Sequence, residues 1–159
     1  MIEPVKWEEL LEFQKGLFRE ALEAREYSTC LSKVGCVLKS AYCDDTITSR
    51  ANTHSYPSKS CEELGACPET AEGKCMNTVH AEIDCLNNLI GREYATSFDT
   101  AYITREPCYS CVNALHRASI SPHNTTIYAL DGKPNEDGRA AVNRCGVRLV
   151  VVTDWEGQA

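Results

Sequence analysis

No stretch of the 159-residue chain approaches the ~20 consecutive apolar residues that a bilayer-spanning helix requires. The opening Met1-Ile2-Glu3-Pro4-Val5-Lys6-Trp7-Glu8-Glu9 lacks the basic-then-apolar layout of a secretory leader, so a cytoplasmic location is expected. Basic charge is also scarce: 16 Lys and Arg stand against 23 Asp and Glu, a net charge of −7. A polynucleotide is held by a cationic track. Here Lys33, Lys39, Arg50, Lys59, Lys74, Arg92, Arg105 and Arg117 are scattered among acids and loops. The expected partner is therefore no nucleic-acid polymer and no membrane, although a few local cations suffice for a small nucleotide. Internal repeats, low-complexity tracts and linkers are missing, which predicts one domain over residues 1–159. With 43% hydrophobic and 25% charged residues the composition is that of a globular domain, excluding disordered, collagen-like and fibrous classes.

Cysteine, by contrast, is abundant, with ten residues at 30, 36, 43, 61, 67, 75, 85, 108, 111 and 145. A domain of this length needs no disulfides to bury a core. In a reducing compartment such a density points to metal or thiolate chemistry. Cys36, Cys85 and Cys145 lie inside apolar patterns and read as small hydrophobes.

The apolar periodicity predicts a first helix over residues 5–27, carried by Trp7, Leu10, Leu11, Leu17, Phe18, Ala21 and Leu22. Residues 34–38 and 46–51 read as a hairpin turned by Asp44-Asp45. Residues 52–76 lose all periodicity, and a loop of that length is usually functional or pinned. A second helix follows on the stripe Val79, Ile83, Leu86 and Ile90, ending before Gly91. Strands over 100–104, 126–130 and 147–152 then alternate with helices over 108–118 and 136–144, the pattern of βαβ units. The predicted fold is three-layer α/β/α, with a mixed five-stranded sheet covered by helices on both faces.

Two short motifs carry chemistry. His80-Ala81-Glu82 opens the second helix, and Pro107-Cys108-Tyr109-Ser110-Cys111 follows a strand and opens the third. The spacing of Cys108 and Cys111 puts both sulfurs on one side of a helical first turn, where the dipole favours thiolate. One imidazole and two thiolates leave the fourth tetrahedral position of a zinc ion open, as a catalytic site requires. Glu82, close to His80 in sequence, can take and pass the proton of a metal-bound water. Alone, a His-x-Glu triplet is a common surface accident, and a Cys-x-x-Cys pair is equally a redox motif or half of a structural zinc site. Their order and contexts together make the signal specific.

In these motifs the chain resembles the cytidine deaminase superfamily, and within it the deoxycytidylate (dCMP) deaminase branch of phage and bacterial type. The resemblance runs from about residue 28 to 152. It includes Ser28-Thr29-Cys30-Leu31-Ser32-Lys33-Val34-Gly35, Cys61-Glu62-Glu63-Leu64-Gly65-Ala66-Cys67 and Gly73-Lys74-Cys75-Met76-Asn77-Thr78-Val79-His80-Ala81-Glu82. It implies zinc-dependent hydrolytic deamination of a cytosine nucleotide, dCMP or a 5-substituted dCMP, to the uracil nucleotide and ammonia. It implies His80, Cys108 and Cys111 as ligands of a catalytic zinc and Glu82 as proton shuttle. Asn52 is implied as a sugar contact, and the Ala81 backbone as a base contact. Cys30, Cys61, Cys67 and Cys75 are implied as ligands of a second, structural zinc that pins the long loop, with Cys43 an alternative ligand. A homo-oligomer, often a hexamer, also belongs to the resemblance.

The chain departs from the branch in two places. Arg50-Ala51-Asn52-Thr53-His54-Ser55-Tyr56-Pro57 lacks a glycine-rich run that helps regulated members bind nucleotide effectors, and no pocket tyrosine follows Leu130-Asp131-Gly132-Lys133-Pro134. Other small substrates, a nucleoside or a purine base, remain as alternatives; Glu106-Pro107-Cys108 also suits tRNA-adenosine and guanine deaminases. A non-catalytic zinc-binding module is a further alternative, against which the presence of Glu82 speaks. His54 sits in the loop near the site, His116 reads as a packed helix residue and His123 as a solvated turn residue. Arg50 and Lys59 read as exposed loop cations outside the site.

Overall fold

A computed structural model describes residues 1–55, 57–71, 74–89 and 97–159. Of the features discussed above, Tyr56, Gly73, Ile90, Gly91 and Arg92 lie outside the described residues. The chain starts not in a helix but in a strand, β1 (Ile2–Lys6), followed by a 3-10 turn (Trp7–Glu9). Helix α1 then spans Glu12–Arg25, and the Gln14 side chain accepts the Leu11 N–H at 2.9 Å where it begins. Of the apolar stripe, Trp7, Leu10, Leu17, Phe18 and Ala21 are buried and Leu22 partly so, whereas Leu11, at the turn into α1, is exposed. The stripe was wrong about conformation before Glu12. Pro4, with no N–H to donate, suits the edge position that β1 occupies beside the last strand.

The hairpin forms as expected, from β2 (Gly35–Ser40) and β3 (Thr46–Ala51), antiparallel. The long loop is more ordered than its composition suggests. A two-stranded ribbon, β4 (Thr53–His54) with β5 (Thr78–Val79), ties its two ends together, so Val79 belongs to a strand and not to the helical stripe. Within the loop, α2 (Cys61–Leu64) starts on a reciprocal cap in which Ser60 Oγ accepts the Glu63 N–H and Glu63 Oε1 accepts the Ser60 N–H. Helix α3 (Ala81–Asn87), β6 (Phe98–Ile103), α4 (Tyr109–Ala118), β7 (Thr126–Leu130), α5 (Glu136–Cys145) and β8 (Arg148–Thr153) complete the chain.

The main sheet has six strands in the order β1-β8-β7-β6-β2-β3, one more than predicted because β1 joins its edge. Strands β1, β8, β7 and β6 run parallel, and β2 is antiparallel to both β6 and β3. One face carries α1, with Phe18 edge-on to Tyr102 (ring centroids 5.1 Å apart) and Tyr102 stacked on Tyr128 (4.9 Å). The other carries α3, α4 and α5 over Cys36, Leu38, Ala101, Ile103, Ile127 and Leu149. Contact with α1 is close: a Cβ added at Gly35 would lie 1.9 Å from the Ala21 carbonyl oxygen, so β2 must begin with glycine. Among the described residues no helix is long and apolar enough to cross a membrane.

This topology positions the site. The C-terminal ends of the parallel strands β6 and β7, the start of β2 and the end of β3 all reach the same edge, where parallel order switches to antiparallel. Open α/β sheets place ligands at such switch points. Gly35 and Thr104 lock the seam, the Thr104 N–H donating to Gly35 O and the Gly35 N–H to Thr104 Oγ1, each at 3.0 Å.

Candidate metal centres

His80 is the last extended residue before α3, so its side chain leaves the chain at the helix start, with Ala81 and Glu82 in the buried first turn. Cys108 occupies the same position before α4, and Cys111 follows one turn on. The three meet at the sheet edge: His80 Nδ1 lies 3.3 Å from Cys111 Sγ and 3.6 Å from Cys108 Sγ. Zinc bonds of about 2.3 Å to sulfur and 2.0–2.1 Å to nitrogen, at tetrahedral angles, separate neighbouring donors by roughly 3.5–3.8 Å. The side chains thus fit one zinc ion, and three protein donors leave a fourth position open.

The three donors are electrostatically coupled, with the negative charge settling on Cys108. Hydrogen bonding from Cys111, with His80 adding to it against the cost of burial, lowers the Cys108 thiol to about 3. The same contact raises Cys111, as do its burial and the nearby Glu82. The hydrogen bond to Cys108 raises His80 against burial. Glu82 is only 4% exposed.

Cys30, Cys61, Cys67 and Cys75 form a second cluster with all four sulfurs within 4.8 Å of one another. Cys30 and Cys67 are 3.5 Å apart, as are Cys61 and Cys75. Four thiolates at this spacing suit a closed structural zinc site. Burial pushes the Cys30 thiol up to about 12. At Cys75 burial also acts upward, but hydrogen bonds from Thr78 and Asn77 bring the thiol down to about 7. Cys43 takes no part; it is exposed, with its thiol 3.6 Å from Asp45 Oδ2. Cys36 and Cys85 are buried in the core, and Cys145 packs against it.

Both clusters face one cleft of about 550 Å³, whose wall includes Cys30, Cys67, Cys75, His80, Glu82 and Cys108. A second cavity of about 560 Å³, between α1 and β3, contains none of these donors. Asn52 and Ala81 line the cleft as well. Asn52 is 6% exposed and already engaged: its Oδ1 accepts from Ser28 Oγ (2.5 Å) and the Val34 N–H (2.9 Å), and its Nδ2 donates to Ser32 O (2.8 Å). Any substrate contact must use its second Nδ2 hydrogen. His54 is tied to Thr29 at 2.8 Å, outside the cleft lining. His116 Nδ1 is buried on α4 without a hydrogen-bond partner, and His123 is exposed. Arg50 binds Asn88 Oδ1 and faces Asp84, away from the cleft, whose lining also omits Lys59.

Sequence reasoning missed other residues here. Lys74, Arg105 and Lys133 bring positive charge to the cleft, whose lining also includes Glu69, Glu136 and Asp137. Glu106, a second buried carboxylate, also lines it. Scattered positions hid the cations; the only signal for Glu106 was its place just before Pro107-Cys108.

A family profile described as the cytidine and deoxycytidylate deaminase zinc-binding region matches residues 11–126. No curated protein sequence matches the chain. Among solved structures, the dCMP deaminase of cyanophage S-TIM5 in complex with dCMP and dUMP superposes with a TM-score of 0.69 at 17% identity, over 89% of this chain and 98% of that one. Its apo form gives a TM-score of 0.67 at 16% identity with the same coverage. The Aspergillus oryzae Rib2 deaminase, a C-terminal deletion mutant, gives 0.55 at 19% identity, over 87% of this chain and 84% of that one. At these identities the likeness is one of fold. The profile is different in kind: it spans most of the sequence and encloses both the His80-Ala81-Glu82 and the Pro107-to-Cys111 motifs, so the chain belongs to the cytidine and deoxycytidylate deaminase family of zinc-dependent hydrolytic deaminases.

Proposed function

We propose that this enzyme, a single domain over residues 1–159, converts dCMP to dUMP and ammonia. The observation that carries the reading is the shared cleft, in which a three-donor metal set and a buried carboxylate stand together with Lys74, Arg105 and Lys133. His80, Cys108 and Cys111 would hold zinc, which when bound supplies a Lewis acid and makes water nucleophilic at neutral pH. Glu82 takes a proton from the attacking water and delivers it to the ring nitrogen beside the amino-bearing carbon. It then moves the second proton to the departing amine, so that one water is consumed and one ammonia leaves. The Ala81 backbone and the free Nδ2 hydrogen of Asn52 orient base and sugar. Arg105, whose Nη1 is braced on Ser32 Oγ at 2.7 Å, and Lys133 are the cations for a 5′-phosphate. Cys30, Cys61, Cys67 and Cys75 would hold a second ion that closes the wall opposite.

A nucleoside or purine-base substrate is the alternative, and the cations on the cleft weigh against it. Deoxycytidine lacks the phosphate, and charge-assisted bonds contribute about 1.5–3 kcal/mol. Its KM should therefore exceed that of dCMP by about 10- to 100-fold. Single-stranded DNA should be turned over more slowly still, because the chain carries a net charge of −7 and its basic residues are scattered along the sequence. Steady-state assays at equal cytosine concentration test this; equal rates on dCMP and an oligonucleotide, or a preference for deoxycytidine, would overturn the assignment.

A further inference from the structure

Glu106 is 4% exposed, and a buried carboxylate is costly unless fully partnered. Among the described residues its partners all come from one place, the start of α5. The Asn135 N–H donates to Oε2 at 2.7 Å, and Arg139 donates to Oε1 from Nε at 3.0 Å and from Nη2 at 2.6 Å. Asn135 in turn caps α5, its Oδ1 accepting the Gly138 N–H at 2.9 Å. A Cβ added at Gly138 would sit 1.9 Å from the Pro107 carbonyl oxygen, so this helix turn rests directly on the residue before Cys108. The same stretch presents Lys133, Pro134, Asn135, Glu136 and Asp137 to the cleft. With both oxygens engaged, Glu106 is not placed to shuttle protons as Glu82 is.

We infer that Glu106 is a positioning residue that clasps the substrate-facing wall of the cleft, residues 133–137, to the loop carrying Cys108. The clasp sets the distance between the metal centre and the wall, and through it the fit of the substrate. This rests on the deaminase reading of the cleft for its consequence, though not for its geometry. An ion pair serving only global stability would not alter substrate affinity in the fully folded protein. A displaced wall would, since losing one charge-assisted bond to the substrate costs about 10- to 100-fold in affinity.

The test compares zinc-loaded wild type, Glu106→Gln and Arg139→Met at a temperature where circular dichroism shows each to be folded; Arg139→Met carries the test if Glu106→Gln does not fold. The expected result is a fall of about 10- to 100-fold in kcat/KM for dCMP, borne mainly by KM, with wild-type zinc content. Hydrogen exchange at the amides of 135–139 should accelerate, with the protection around His80–Glu82 unchanged. Unaltered KM in a folded, zinc-replete variant would overturn the inference, as would loss of zinc, which would mean that Glu106 serves the metal loop alone. Should wild type deaminate no cytosine compound, the functional reading fails while the exchange data still decide the clasp: faster exchange at 135–139 upholds it and unchanged exchange rejects it.

Discussion

Glu82→Gln should give a folded, zinc-loaded protein whose turnover has fallen by ~10²–10⁴-fold. The carboxylate is 4% exposed and stands beside Cys111 without belonging to the metal-ligand set. An amide of the same shape keeps the packing and can no longer accept and release protons. Several transfers depend on this one group, which places the effect at the upper end of the range. Metal analysis and kcat measured on one preparation check it. Activity above about a tenth of wild type would be less than general acid–base catalysis supplies and would remove Glu82 from the role.

Metal content supplies the second large effect. Two zinc ions per chain are expected. Cys108→Ala should drop the count to one and abolish turnover with the fold intact, because its cluster is one of two among the described residues and the sheet below is closed by its own core. Cys67→Ala should also drop the count to one, but its cost falls on stability. A ligand that binds only the native state stabilises in proportion to the logarithm of its affinity, so a ~1,000-fold weakening removes about 4 kcal/mol. For a domain of this size that corresponds to roughly 8–16 °C in Tm. Thermal unfolding with and without a chelator measures it. One zinc in wild type, together with an unchanged Tm in Cys67→Ala, would refute the second site.

The features of the fold and site legible in the sequence are those set by short spacing. Cys108 and Cys111 share a helical turn wherever that helix lies, and His80 stands next to Glu82 for equally local reasons. The βαβ order of the second half follows from periodicity, and it forces those two helix starts to one edge of the sheet. The first strand was not legible. Ile2–Lys6 holds a proline and two charges, and Trp7 and Leu10 happen to continue the α1 stripe in phase, so nothing local separates strand from helix. Its pairing with β8 is a contact across almost the whole chain, which no window of sequence reports. The ribbon of Thr53–His54 with Thr78–Val79 escaped notice for the same reason. Asn52 was found, but its tight engagement with Ser28, Ser32 and Val34 was not, because those partners come from a different segment. Glu106 reads as one acid among 23 until the fold brings Asn135 and Arg139 to it.

Ammonia release from dCMP by the purified, zinc-loaded protein tests the central claim most directly. The expected result is one ammonia for each dUMP formed, at a rate proportional to enzyme and lost when a chelator strips the His80–Cys108–Cys111 centre. A zinc-replete, folded protein that yields no ammonia from dCMP would contradict it.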